Sequence, residues 1–239
     1  MRPLLVRRRL TPTAERASLL LEAVSEVETI DEAALPPAHL AGHALAAILA
    51  DAPTLEPERV LLSVRGLAHA HLETRVAGVV APLGDGHVRA RARVVQRSGL
   101  VLEVEVLGHE GRAPGSPRPI PGKLAAFARA VSADEDEYAL LQTWPTDFLV
   151  ALCAAGVEAE NESGLARLLR LSVDIVQPAP LERGVRLAID GVRPVAGDTA
   201  RVVFRVTRGR GRLVLRGDAL IASALAHHPA VAIPARLAA

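Results

Sequence analysis

The sequence predicts an α+β protein made of two tandem copies of one unit, each an antiparallel sheet wrapped around a central helix. Three observations predict it. A short helix, apolar nearly all round, occurs once in each half. Strands that alternate apolar and polar residues follow each helix. One turn sequence recurs within the same order of elements.

Leu4 to Val6 reads as a first strand, leading to a turn at Thr11-Pro12-Thr13. Ala17 to Val24 reads as a second strand. The alternative is a helix over Ala14 to Val27, since Ala, Leu and Glu favour helix. In PPAHLAGHALAAILADAP, Leu40, Ala44, Ala47 and Ile48 share one face at helical spacing until Pro53 stops the run. The period then changes to two in VAGVVAPL, HVRARARVV and LVLEVEVL. Val88, Ala90, Ala92 and Val94 lie on one face and arginines on the other, as in antiparallel strands with one wet face.

RAPGSPRPIPG, Arg112 to Gly122, carries four prolines and reads as an extended linker. The acidic run Asp134 to Glu137 reads as a solvated loop or a helix start. WPTDFLVALCAAGVEA repeats the apolar helix, opened by Pro145. Ala166 to Gln177, RLAIDGV, ARVVFRV and RLVLRGDALIA are read as strands. The expected division is a first unit over 1–112, a linker over 113–130 and a second unit over 131–239. Ala81-Pro82-Leu83-Gly84-Asp85-Gly86 aligns with Ala179-Pro180-Leu181-Glu182-Arg183-Gly184, since 179 − 81 and 184 − 86 both give 98; aligning His43 with Asp147 gives 104.

Composition narrows the function. Half of the 239 residues are apolar, the net charge is +1 and aromatics are 2%, so neither a nucleic-acid surface nor disorder is indicated. No run of 18 uninterrupted apolar residues exists, so no membrane partner is expected. The N-terminus does not read as a signal peptide, and a lone cysteine, Cys153, suits a reducing cytoplasm. Cys153 reads as packing, because no basic neighbour is evident in sequence.

A helix apolar all round must be buried on all sides, and a one-faced sheet must cover its apolar face. A curved sheet around a helix satisfies both, and two such units side by side close an open sheet edge. That is the hotdog fold in its double form.

The residues now resemble a known superfamily, the hotdog acyl-thioester enzymes. LPPAHLAG, Leu35 to Gly42, is similar to the F-P-x-H-F-x-G loop of 3-hydroxyacyl-carrier-protein dehydratases of fatty acid biosynthesis, with His39 at the histidine. Trp144-Pro145-Thr146-Asp147-Phe148-Leu149 is similar to the acid-bearing helix start of polyketide synthase dehydratases. The spacing from proline to acid is two residues shorter, and tryptophan replaces a histidine. The proline beyond the histidine's glycine and the glutamine after the acid are absent. Tandem acyl-CoA thioesterases are a second resemblance, with Asp147-Phe148-Leu149 comparable and Ser172 on the corresponding strand.

The resemblance implies that His39 and Asp147 form a dyad split between the halves, acting on an acyl chain carried by an acyl carrier protein or CoA, with no cofactor. The competing structural reading makes His39 a loop histidine and Asp147 a helix N-cap. His43 is an alternative base. His39 and His43 at i and i+4 could bind metal, but no third ligand is evident, so no metal is expected. His69 and His71 are expected at water or a pocket rim, and His227 and His228 in a solvated tail. The arginines of VRARARVV and Arg7-Arg8-Arg9 read as a solvated face, or else as a landing site for an acidic carrier or for CoA phosphates. Three functions remain: a dehydratase, a thioesterase, and a non-catalytic binding module. The chain is expected to act as a monomeric pseudo-dimer or a homodimer.

Overall fold

A computed structural model describes residues 2–24, 35–111, 123–142, 145–159, 167–177 and 185–222. Strand β1 (Leu4–Leu10) leads to helix α1 (Ala14–Val24). Helix α2 (Pro37–Asp51) is followed by β2 (Leu55–Val64), β3 (Thr74–Gly84), β4 (His87–Gln96) and β5 (Gly99–Glu110). Helices α3 (Lys123–Val131), α4 (Glu135–Leu141) and α5 (Pro145–Ala159) come next. Strands β6 (Arg167–Ile175), β7 (Val185–Ala196), β8 (Thr199–Arg208) and β9 (Arg212–Ala222) follow.

All nine strands form a single antiparallel sheet in the order β1-β3-β4-β5-β2-β6-β9-β8-β7. This corrects the expectation of two separate sheets. One row of paired residues crosses it from edge to edge: Leu5, Val79, Arg91, Glu105, Leu61, Ser172, Asp218, Val203 and Gly191. The two halves still share a grammar. The order β3-β4-β5-β2 in the first is matched by β7-β8-β9-β6 in the second, and each follows a 15-residue helix. Among the described residues only the β2–β6 pairing joins the halves through the sheet. Among the described residues the second half has no counterpart of β1, so β7 is an edge.

The side-chain alternation sets the two faces. Val88, Ala90, Ala92 and Val94 of β4 are buried, as are Val202, Phe204 and Val206 of β8. Helix α2 lies on the inner face, and every residue from Ala38 to Leu49 is buried. Its all-round apolar character has that cause: β1 to β5 pack on it from one side, and α3, α4 and α5 from the others. The sheet bends sharply. At Gly78 and Gly108 a side chain would overlap the backbone of Arg91 and of Glu56, so only glycine lets the strands approach so closely there.

Several expectations change. Residues 14–24 form α1, not a strand, and Thr13 Oγ1 caps the helix by accepting from the Arg16 N–H at 3.2 Å. Strand β2 has no sequence reading above. A bulge between Pro57 and Arg59 shifts the phase of its alternation, from Leu55 and Pro57 inward to Val60 and Leu62 inward. The segment 113–130 includes α3 from Lys123 onward, while Arg112 to Gly122 lie outside the described residues. The acidic run is a helix start: Asp134 caps α4 by accepting from the Glu137 N–H at 2.9 Å, but Glu137 is buried and not solvated.

The two APL segments fall at different places in the order of elements. Gly84-Asp85-Gly86 turns β3 into β4, whereas Ala179 to Gly184 precede β7 and lie outside the described residues. The counterpart of the first turn is Gly197-Asp198, between β7 and β8.

Candidate active site on the two buried helices

Helices α2 and α5 start alike. Each opens with a proline at its first residue, Pro37 and Pro145, where the missing N–H costs no intrahelical bond. Two residues later stand His39 and Asp147. The offset is the same for both pairs, since 147 − 39 and 145 − 37 give 108. Aligning Asp147 with His43 is therefore replaced: the helix register pairs Asp147 with His39, and His43 with Ala151. The two helices pack against each other.

All three candidate residues are buried: His39 is 0% exposed, His43 2% and Asp147 3%. Neither ring nitrogen of either histidine makes a hydrogen bond of good geometry among the described residues, nor does either carboxyl oxygen of Asp147. Such groups cost stability, and folds keep them where a function needs them. The His39 and His43 rings meet edge to face, with centroids 4.8 Å apart and planes at 85°. His39 is therefore not in a solvated loop; it is a helical residue of the core.

Burial moves the acid and the bases in opposite directions. The Asp147 carboxyl is pushed up to about 7 by burial, against a weaker pull from its own backbone N–H. His39 is lowered to about 4 by burial and then by the Arg16 charge. His43 is held well below the usual imidazole value by burial, then by His39, Arg8 and Arg16, while the Val131 backbone acts the other way. Near pH 6 both imidazoles are neutral and the carboxyl carries its proton.

Arg8, read with Arg7 and Arg9 as a solvated face or a landing site, is corrected: its charge reaches His43. It forms an ion pair from β1 with Glu137 of α4, the two side chains being 16% and 3% exposed. The Ala133 N–H donates to the Glu137 carboxylate. The signal was available. Arg8 falls two residues after the inward Val6, and an inward arginine needs a buried acid.

The other candidates lie elsewhere. Gln96 holds His69 at both its backbone N–H and C=O, at 2.9 Å each. His71 is exposed, with its N–H on the Pro12 carbonyl at 2.8 Å. His227 and His228 lie outside the described residues. Cys153 is buried, and burial raises its thiol, so it packs as expected. Ser172 is on β6. The β4 arginines share acidic partners two to one: Arg89 and Arg91 hold Glu105 at 2.7 and 2.9 Å, and Arg93 and Arg65 hold Glu103 at 3.1 and 3.0 Å. No group of three His, Cys, Asp or Glu that could hold a metal ion occurs among the described residues. None of their helices is long and apolar enough to cross a membrane.

A continuous antiparallel sheet curved around buried helices is the architecture of hotdog-fold proteins, and solved structures agree. A MaoC-like dehydratase matches over 93% of this chain and 98% of its own, with a TM-score of 0.61 at 12% identity. HtdX of Mycobacterium tuberculosis matches over 92% and 99%, with a TM-score of 0.59 at 12% identity. A candidate thioesterase II of Thermobifida fusca matches over 91% and 92%, with a TM-score of 0.55 at 13% identity. No family model matches the sequence, and neither does any curated protein. The chain has the hotdog fold.

Proposed function

We propose that this chain is a double hotdog, with units over 1–112 and 131–239, and that it dehydrates a 3-hydroxyacyl thioester carried by an acyl carrier protein or CoA. The observation that carries this reading is the opposite displacement of two groups at matching helix positions. His39 is neutral well below pH 7, and Asp147 keeps its proton up to about 7. A neutral imidazole and a protonated carboxyl are what an elimination needs.

His39 takes the C2 proton of the acyl chain, and the C2–H electron pair becomes the second bond between C2 and C3. The C3–O bond breaks as Asp147 protonates the departing oxygen, which leaves as water. Imidazolium and carboxylate remain, and a proton passing from one to the other restores the site. A carboxylate at a helix N-terminus is favoured by the helix dipole, so the neutral acid depends on burial prevailing.

The test is the appearance of a conjugated enoyl thioester from 3-hydroxyacyl-CoA and carrier-bound substrates, followed by mass spectrometry. His39→Ala is expected to lower the rate by about 10²–10⁴-fold. Asp147→Asn is expected to do the same without unfolding the protein. Activity should be confined to a bell between about pH 4 and 7, bounded by the base below and the acid above. Release of free thiol without loss of water would replace this reading with a thioesterase. That alternative is favoured by the thioesterases among the similar structures. Neither reaction on any chain, with both variants indistinguishable from the native protein, would leave a non-catalytic binder.

A further inference from the structure

We propose that of the two α2 histidines only His39 takes the substrate proton, and that His43, whose ring meets that of His39 edge to face, is a positioning residue. This rests on the dehydratase reading and names the base within it.

The helix register is the first support. His39 is the counterpart of Asp147, at the third residue of its helix, and His43 is the counterpart of Ala151. His39 and Asp147 thus stand at equivalent helix positions, whereas His43 has no titratable mate. The ring contact is the second. His43 lies one turn further into α2 and meets His39 edge to face, so it fixes the plane in which the His39 ring can stand.

The third support is what lies behind His43. Helix α2 is packed by β1, α3 and α4. From β1 comes Arg8, whose charge reaches His43 and Asp51 further along the helix; on His39 the acting charge is Arg16 of α1. From the end of α3 comes the Val131 backbone, beside the His43 ring. The junction after Val131 is tightly held. Ser132 Oγ donates to the Ala128 carbonyl at 2.6 Å, Asp134 caps α4, and Glu137 takes both the Ala133 N–H and Arg8. The ion pair thus ties β1 to α4. The charged or titratable groups acting on His43 are Arg8 from β1, Arg16 from α1 and His39 from α2. A proton arriving between the two rings rests better on His39, on which Arg16 is the acting charge, than on His43, on which Arg8 acts as well.

The test uses the full chain and two readouts. Long-range nitrogen–proton NMR of the histidine rings reports protonation and tautomer without needing a substrate. As pH is lowered, His39 should take its proton before His43. Arg8→Met combined with Glu137→Met removes both charges together, and should raise the pH at which His43 protonates. His43→Phe keeps a ring of similar size. It should lower kcat on 3-hydroxyacyl-CoA about 10-fold, leave KM and the pH profile in place, and shift the His39 tautomer balance. His39→Phe should lower kcat by about 10²–10⁴-fold. The proposal is overturned if His43→Phe falls as far as His39→Phe, or if His43 protonates first in the native protein. Should no thioester be turned over, the dehydratase reading falls, and the order of protonation still decides whether the two rings are arranged as stated.

Discussion

Leu62 of β2 and Leu171 of β6 stand directly opposite each other, both fully buried, at the one seam where the two halves of the sheet meet. Truncating either removes apolar contacts on both sides of that seam. Leu62→Ala and Leu171→Ala are each expected to cost about 2–5 kcal/mol. The double variant should cost less than the two together, because the cavities merge. Urea unfolding should show one shared transition. Two separate transitions would mean that the seam does not couple the halves.

Stability should depend on pH through Asp147, His39 and His43, with opposing signs. Between about pH 4 and 6.5 the unfolded chain protonates its histidines while the folded chain keeps His39 and His43 neutral, so both favour folding as pH rises. Over about pH 4 to 7 the unfolded chain ionises Asp147 while the folded chain holds its proton, so Asp147 opposes folding as pH rises. The two histidines together outweigh Asp147 over most of this range, and the opposing effects cancel near pH 7. Stability should therefore rise with pH and level off near 7. Asp147→Asn should steepen the rise, and it is the slope of unfolding free energy against pH that checks this.

The Arg8–Glu137 pair gives a different pattern. Glu137→Gln leaves the largely buried side chain of Arg8 without its partner, at an expected cost of about 2–4 kcal/mol, below that of a fully buried pair. Arg8→Met with Glu137→Met leaves no unpaired charge, and should fall within about 2 kcal/mol of the native protein or exceed it. Thermal unfolding of both variants distinguishes a buried pair from an exposed one, for which each loss would be about 1 kcal/mol or less.

Gln96 is buried, accepts from the His69 N–H, and donates to the His69 carbonyl and to Thr74 Oγ1, each at 2.9 Å. Gln96→Leu keeps the volume and strips these partners, so a cost of about 1–3 kcal/mol is expected. Hydrogen exchange at the His69 amide should accelerate more than at the neighbouring β4 amides.

The sequence carried the fold where periodicity was clean, and lost it where one residue broke the phase. VRARARVV and the two apolar helices are found where their patterns put them. Strand β2 escaped because its bulge exchanges inward and outward positions halfway along, so neither face reads as continuous. With β2 hidden, the pattern did not reveal which strands pair to join the halves. Helix α3 was absorbed into the proline-rich segment before it. At the site, His39 and Asp147 were visible as residues, but their matching helix positions were obscured by the recurring APL turn. Three matched residues can arise by chance, whereas a register fixed by two prolines follows from helix geometry.

The seam also sets a schedule. Arg59 and its partner Asp174 are 115 residues apart in the chain, so the β2–β6 pairing is the most remote contact among neighbouring strands. Strands β1 to β5 are complete long before β6 leaves the ribosome. During that interval β2 is a bare edge with a free row of backbone groups and an apolar underside, the kind of surface that recruits a second chain. A nascent or truncated first half therefore faces a choice between waiting and aggregating. The yield of soluble protein from such a fragment depends on how quickly the second half, or a chaperone, reaches that edge.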